Sequence, residues 1–316
     1  MIRKINIEVL LQRIANTMVL NTGKAYYTGL LNGKTGIALF LLNYSKITKN
    51  ELYQEFAEEL LDEISERAGY WSRTADFSNG STGVVWAVHN LIKNKLIDAD
   101  EDVMEEVEDS LNNSTDSGIL SDIDGECPFF SKGIYFMDRN NKEGIKNLLN
   151  ELVHILNRNN RVLPLSYLNS ILYTVLNGCD DLEILLRVLN AVYEKFIDSI
   201  NNENYTFPDI LMLTAIIQQL KQKSHTGYDY KKWEDFLNKL NFDNLNGIFN
   251  MGLYKLIFNK IGFNDSVVLN KLETMDIEDS VNSIIKDVYR NISLFNGLAG
   301  VGLTLIEYYQ KLNEPI

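Results

Sequence analysis

Cysteine is almost missing from this chain of 316 residues: Cys127 and Cys179 stand far apart, and neither belongs to a Cys-x-x-Cys pair. That excludes a disulfide-stapled scaffold and a local zinc knuckle, which need several cysteines at short spacing, and it fits a reducing compartment. Proline is scarce, at four residues, and no stretch rich in proline, glycine and serine interrupts the chain. Nothing marks a linker, so residues 1–316 read as a single domain, a length that a repeat array reaches as one unit. Positive charge is short as well: 30 Lys and Arg face 43 Asp and Glu, a net charge of -13. Phosphate binding needs a cationic surface that releases counterions, so no nucleic-acid partner is expected, and an anionic membrane surface is disfavoured. Such acidity keeps a protein soluble and can attract a basic peptide. No run approaches the ~20 apolar residues of a membrane span. Glu8, Gln12 and Arg13 break up the segment that follows Met1-Ile2-Arg3-Lys4, leaving no apolar h-region and pointing to a cytoplasmic protein. Period-two alternation is never sustained, so the fold class is all-α.

What is present is helical periodicity of two kinds. Ile7, Leu10, Leu11 and Ile14, then Ile145, Leu148, Leu149 and Leu152, then Leu182, Leu185, Leu186 and Leu189, then Val281, Ile284, Ile285 and Val288 each mark a one-sided amphipathic helix. Between them lie segments opened by glycine and apolar on nearly every face, such as Gly36–Leu42 and Gly83–Val88, which should be buried all round. Their starts share the pattern Asn-Gly-x-x-Gly: Asn32–Gly36, Asn79–Gly83 and Asn296–Gly300, with a weaker copy at Asn246-Gly247 and eroded copies near Ser131, Tyr167 and Pro208. Gly33 and Gly297 are 264 residues apart, so six intervals average 44, the length of a helical-hairpin repeat. The first glycine would let the chain turn sharply, the second would let neighbouring helices approach, and the asparagine could cap the helix. Tight glycines at every second helix favour a closed ring over an open solenoid.

These repeated turns, above all Ser293–Gly302, resemble the lanthionine synthetase C-like family over essentially the whole chain. The resemblance implies an α/α toroid, a double ring of about seven inner and seven outer helices. It also implies a zinc ion held by a cysteine in a Trp-Cys-Tyr-Gly-like turn and by the pair in a Cys-His-Gly turn. There the metal would turn a peptide thiol into a thiolate that adds to a dehydrated Ser or Thr. This chain departs from the pattern at those places. The second turn reads Leu245-Asn246-Gly247 and the first Phe207-Pro208-Asp209-Ile210, with neither Cys nor His. Asn and Asp make a poor site for a soft metal. Cys127 and Cys179 lie elsewhere, and His89, His154 and His225 do not restore the site, so no metal and no cofactor are expected.

Polar groups in the inner turns remain as candidates. Tyr27, Asn32, Asn79, Asn246 and Asn296 would bind substrate, with helix capping as the plainer role for each asparagine. Asp76 and Asp209 would act as a catalytic acid and base if a funnel brought them within ~5–10 Å, as in glycoside cleavage; otherwise they serve electrostatic capping. Trp86 and Trp233 read as core, and His89 as a packed helix residue. The acidic stretch from Asp98 to Glu106 reads as the solvated start of an outer helix or as a docking surface for a basic leader peptide. The expected partner is a peptide substrate or a peptide-modifying enzyme. The alternatives are a zinc-independent enzyme using paired carboxylates and a cyclase with displaced metal ligands.

Overall fold

The computed structural model describes residues 7–25, 27–100, 103–113, 118–223, 228–240, 242 and 246–313. Glu101, Asp102, His225 and Leu245 lie outside them. In chain order the helices are α1 Ile7–Asn21, α2 Lys34–Thr48, α3 Glu51–Glu66, α4 Ala68–Trp71, α5 Ser81–Lys93, α6 Glu105–Asn113, α7 Ile119–Asp124, α8 Ser131–Asp138 and α9 Lys142–Arg158. They continue with α10 Leu165–Gly178, α11 Leu182–Asn201, α12 Phe207–Lys223, α13 Lys231–Leu237, α14 Met251–Ile257, α15 Asp265–Thr274, α16 Ile277–Lys286, α17 Val288–Asn291 and α18 Leu298–Asn313. No strand occurs among the described residues.

The two kinds of periodicity become two kinds of helix. In α2, α5, α10 and α12 nearly every residue is buried, as at Ile37–Leu42 and Leu165–Leu176. A fully buried side chain such as Phe40 or Leu168 contributes about 1.5–3 kcal/mol relative to leaving it in water. The one-sided helices bury a single stripe, as α9 does with Ile145, Leu148, Leu149, Leu152 and Leu156. Their starts are capped by side chains: Asn50 accepts from Leu52 N, Asn141 from Gly144 N, Asp181 from Glu183 N and Ile184 N, and Asp276 from Asp279 N. Each such cap satisfies an otherwise orphaned amide, worth ~1 kcal/mol.

Two compact units result. One comprises Met1–Asn113, Phe249–Leu256 and Asp265–Ile316; the other comprises Ser114–Ile248 and Ile257–Asn264. The chain passes between them more than once, which is why no linker composition announces the division.

In the first unit, α5 packs on α2 and α2 on α18. Helix α14 follows, with Gly252 against the Leu303–Thr304 backbone of α18 and its amide donating to Thr304 Oγ1 at 2.9 Å. Helix α1 lies against α2, α16 and α18, so the first repeat packs on the last. The described elements are all helical, as an α/α toroid requires. In the second unit α10 stands between α8 and α12, with α9 and α11 packed against α10 and against each other. Trp233 of α13 is fully buried against Tyr193 and Phe196, as Trp86 is against Phe77 in the first unit.

Candidate functional site

The turns that start the buried helices carry every candidate residue. In the first unit they are built from backbone and glycine. Lys34 N donates to Tyr27 O at 3.0 Å, and Thr35 Oγ1 donates to Thr28 O. The next turn repeats this geometry: Ser81 N donates to Thr74 O at 2.8 Å, and Thr82 Oγ1 to Ala75 O at 2.8 Å. A Cβ placed on Gly36, Gly83 or Gly300 would stand 2.3, 2.2 or 2.2 Å from the carbonyl oxygen of Leu30, Phe77 or Leu294 in the glycine's own turn. The second glycine of the motif therefore makes room chiefly for its own turn. The expectation of close helix–helix approach is met instead at Gly252.

Neighbouring turns are stitched by main-chain bonds. Leu31 N donates to Ser78 O at 2.9 Å, and Leu294 N and Phe295 N both donate to Leu31 O, at 2.9 and 3.0 Å. Gly29 lies so close to Asn79 that a Cβ there would meet the Asn79 Cα at 2.2 Å.

The second unit keeps main-chain bonds of this kind, as from Leu165 N to Asn204 O at 3.0 Å, and adds side chains to the same work. Buried Asp122 accepts from Ser131 N at 2.9 Å and from Ser131 Oγ, at the start of α8. Ser170 Oγ accepts from Phe130 N at 2.7 Å, and Asn169 Nδ2 donates to Asp209 O at 2.8 Å. Asp209 Oδ2 accepts from Thr206 N at 2.8 Å and Thr206 Oγ1 at 2.7 Å, a capping-box arrangement at the start of α12. Phe207 N donates to Asn246 O at 2.9 Å. The Tyr167 hydroxyl and Asn169 Oδ1 are buried with no hydrogen-bond partner among the described residues. Burial, with the charges of Asp122 and Cys127 adding to it, pushes the Tyr167 phenol well above its usual pKa, so it stays protonated.

Asn32 and Asn79 do not occupy the cap positions of their helices, contrary to expectation. Gly33 and Gly80 occupy the N-cap positions of α2 and α5, with no side-chain bond. Asn32 is exposed and Tyr27 is 62% exposed, so these two side chains are open to a ligand; Asn246 is exposed as well. Half-buried Asn79 has Oδ1 without a partner among the described residues, while its amide donates to Asp76 Oδ1 at 2.7 Å. Asn296 takes a left-handed conformation, φ 56, which asparagine tolerates better than most residues. It is tied to Asn250: Asn296 N donates to Asn250 Oδ1 at 2.9 Å, and Asn250 Nδ2 donates to Asn296 Oδ1 at 2.6 Å.

Asp76 belongs to the first unit and Asp209 to the second, and each accepts from a backbone amide of its own turn. Sequence reasoning passed over Asp122, Ser170 and Asn250. Only Thr206 carried a local signal, the Thr-x-x-Asp spacing to Asp209.

The donor set does not fit a zinc ion. Asp209, in the turn that matches the cysteine-bearing one, is 2% exposed and closed onto Thr206, and Asn246 offers a neutral amide that ligates zinc poorly. Cys127 lies beside Ser131 Oγ at 3.6 Å, and Cys179 ends α10, where burial first of all raises its thiol pKa and keeps it protonated. Among the described residues no three His, Cys, Asp or Glu side chains gather as a metal group, and no helix is long and apolar enough to cross a membrane.

Residues 23–163 match the family model described as lanthionine synthetase C-like protein, a stretch that takes in the first three turns and under half of the chain. The resemblance carried by the Asn-Gly-x-x-Gly turns holds there. No curated protein and no solved structure matches the chain.

Proposed function

We propose that this chain, a divergent relative of the lanthionine synthetase C-like proteins over residues 23–163, works in peptide maturation as a binding protein. In this reading it takes a peptide substrate or a partner modifying enzyme at the turns that start the buried helices of its first unit, without zinc-dependent thioether closure. Residues 1–316 act as one cytoplasmic domain, with no nucleic-acid partner. One observation carries the reading: the turn that matches the cysteine-bearing one has neither Cys nor His, and its Asp209 is buried with its carboxylate held by Thr206. Exposed Tyr27 and Asn32, and the open Oδ1 of Asn79, all in the first unit, supply hydrogen-bonding groups that an extended peptide needs.

The test uses a neutral synthetic peptide that carries one cysteine and one dehydroalanine, mixed with zinc-supplemented protein. Binding is read by fluorescence anisotropy and chemistry by loss of free thiol. Binding weakened by Tyr27→Ala and Asn79→Ala, with thiol loss no faster than without protein, is the expected result. Thiol consumption that scales with protein concentration overturns the reading, and so does the absence of binding.

A further inference from the structure

Between α3, α4, α5 and α6, within the first unit, lies a groove of about 810 Å³. Ile64 and Val88 form its buried floor, and the half-buried Leu61, Ala68, Met104 and Val107 pack around Ile64 and Val84. Val103, 52% exposed, extends the apolar surface outward. The rim is of one sign. Glu58 and Asp62 stand on α3, Asp98 on the loop after α5, and Glu105 and Glu106 on α6, while among the described residues no lysine, arginine or histidine lines the groove.

Apolar surface left open in a folded protein marks a place that something covers. Here the charge pattern selects the occupant. A second copy of this chain, at -13, would be repelled by the rim, and so would an anionic membrane. A helix with leucine-like side chains on one face and lysine or arginine along its flanks satisfies both features: the apolar face fills the groove while the cations reach the two walls. A small polyamine would satisfy only the rim.

We infer that this groove receives a basic amphipathic helix from a peptide or protein partner, away from the glycine turns. The inference rests on the proposed function only for the kind of partner. It makes Asp98, Glu105 and Glu106 part of one wall of a binding site.

The experiment uses the full chain and a labelled leucine–lysine amphipathic peptide of about five helical turns, with its scrambled isomer and polylysine as controls. The amphipathic peptide is expected to bind at least about tenfold more tightly than either control, with affinity that falls as salt rises. Reversing two exposed rim charges, Asp62→Lys with Glu106→Lys, should weaken it about tenfold, and Val103→Ser should weaken it about threefold. The reversal Glu194→Lys with Asp198→Lys on α11 makes the same change in net charge elsewhere and should leave binding intact. Equal loss from both reversals, equal binding of polylysine, or no binding of the amphipathic peptide overturns the proposal. In each case the neutral dehydroalanine peptide still reports independently on the turns.

Discussion

The first unit and the second start their buried helices in different ways. At the third helical position the first unit has Gly36, Gly83 and Gly300, and a carbonyl from the same turn fills the space that each side chain would take. The second unit has Gly133, Tyr167 and Asp209 there. Gly133 faces the Phe130 ring instead of a carbonyl, and Asp209 reaches back to Thr206. Backbone bonds between Leu294, Leu31 and Ser78 have counterparts in the second unit in Leu165 N to Asn204 O and Phe207 N to Asn246 O, to which that unit adds the side-chain bonds of Ser170, Asn169 and Asp122. One structural task, fixing a helix start against its neighbour, is thus met with glycine at the third helical position in the first unit and with added buried polar side chains in the second. Those added bonds use up the groups that chemistry would need.

That contrast can be broken by mutation. The largest effect is expected for Gly83→Ala, whose Cβ must push against the Phe77 carbonyl; about 3 kcal/mol should be lost in denaturant unfolding. Gly133→Ala should cost about half as much, because an aromatic side chain can give way where a main-chain carbonyl cannot. Equal costs would erase the distinction between the two units.

Asp209→Ala should come next, at about 2 kcal/mol, since it strips Thr206 N and Oγ1 of their acceptor; Asp209→Asn should recover part of the loss. Ser170→Ala should cost about 1 kcal/mol by orphaning Phe130 N.

A smaller effect is electrostatic and confined to the first unit. Burial pushes the Asp265 carboxyl up, but the ammonium groups of Lys255, at 2.5 Å, and Lys311 outweigh it and hold the pKa below 3.8. A depressed folded pKa means stability that is present above the unfolded value and lost as pH falls through the folded one. Unfolding titrated below pH 4 should therefore be flatter in Asp265→Asn than in the wild type. At the bottom of the scale, Asn32→Ala should change stability by less than about 0.5 kcal/mol, because this exposed side chain caps nothing; a genuine cap would cost ~1 kcal/mol.

The helical class and the starts of the buried helices were legible because glycine spacing and all-round apolarity are local properties. Gly33, Gly80 and Gly297 mark the turns where the helices begin. The reason for the second glycine was not legible, since it depends on where the chain folds back: nothing in Gly83-Val84-Val85 says that the Phe77 carbonyl lies against it. Asn32 and Asn79 misled for the same reason, because cap geometry is decided by the preceding residues, and Gly33 and Gly80 take that place. Asp122 was invisible because its partner Ser131 is nine residues away with no fixed pattern between them. Asp209 was found as a departure from a ligand turn, but only its distance to Thr206 reveals what the carboxylate does.

The proposed reading gives the turns that match the family's ligand turns a structural role and no metal. Elemental mass spectrometry on protein purified without chelator or histidine tag tests it most directly. The account predicts zinc well below one ion per chain, about 0.1 or less, unchanged in Asp209→Ala, as expected of a site with no thiolate or imidazole donor. Near-stoichiometric zinc, lost in the Asp209→Ala variant, would contradict it and restore the thioether-forming chemistry to these turns.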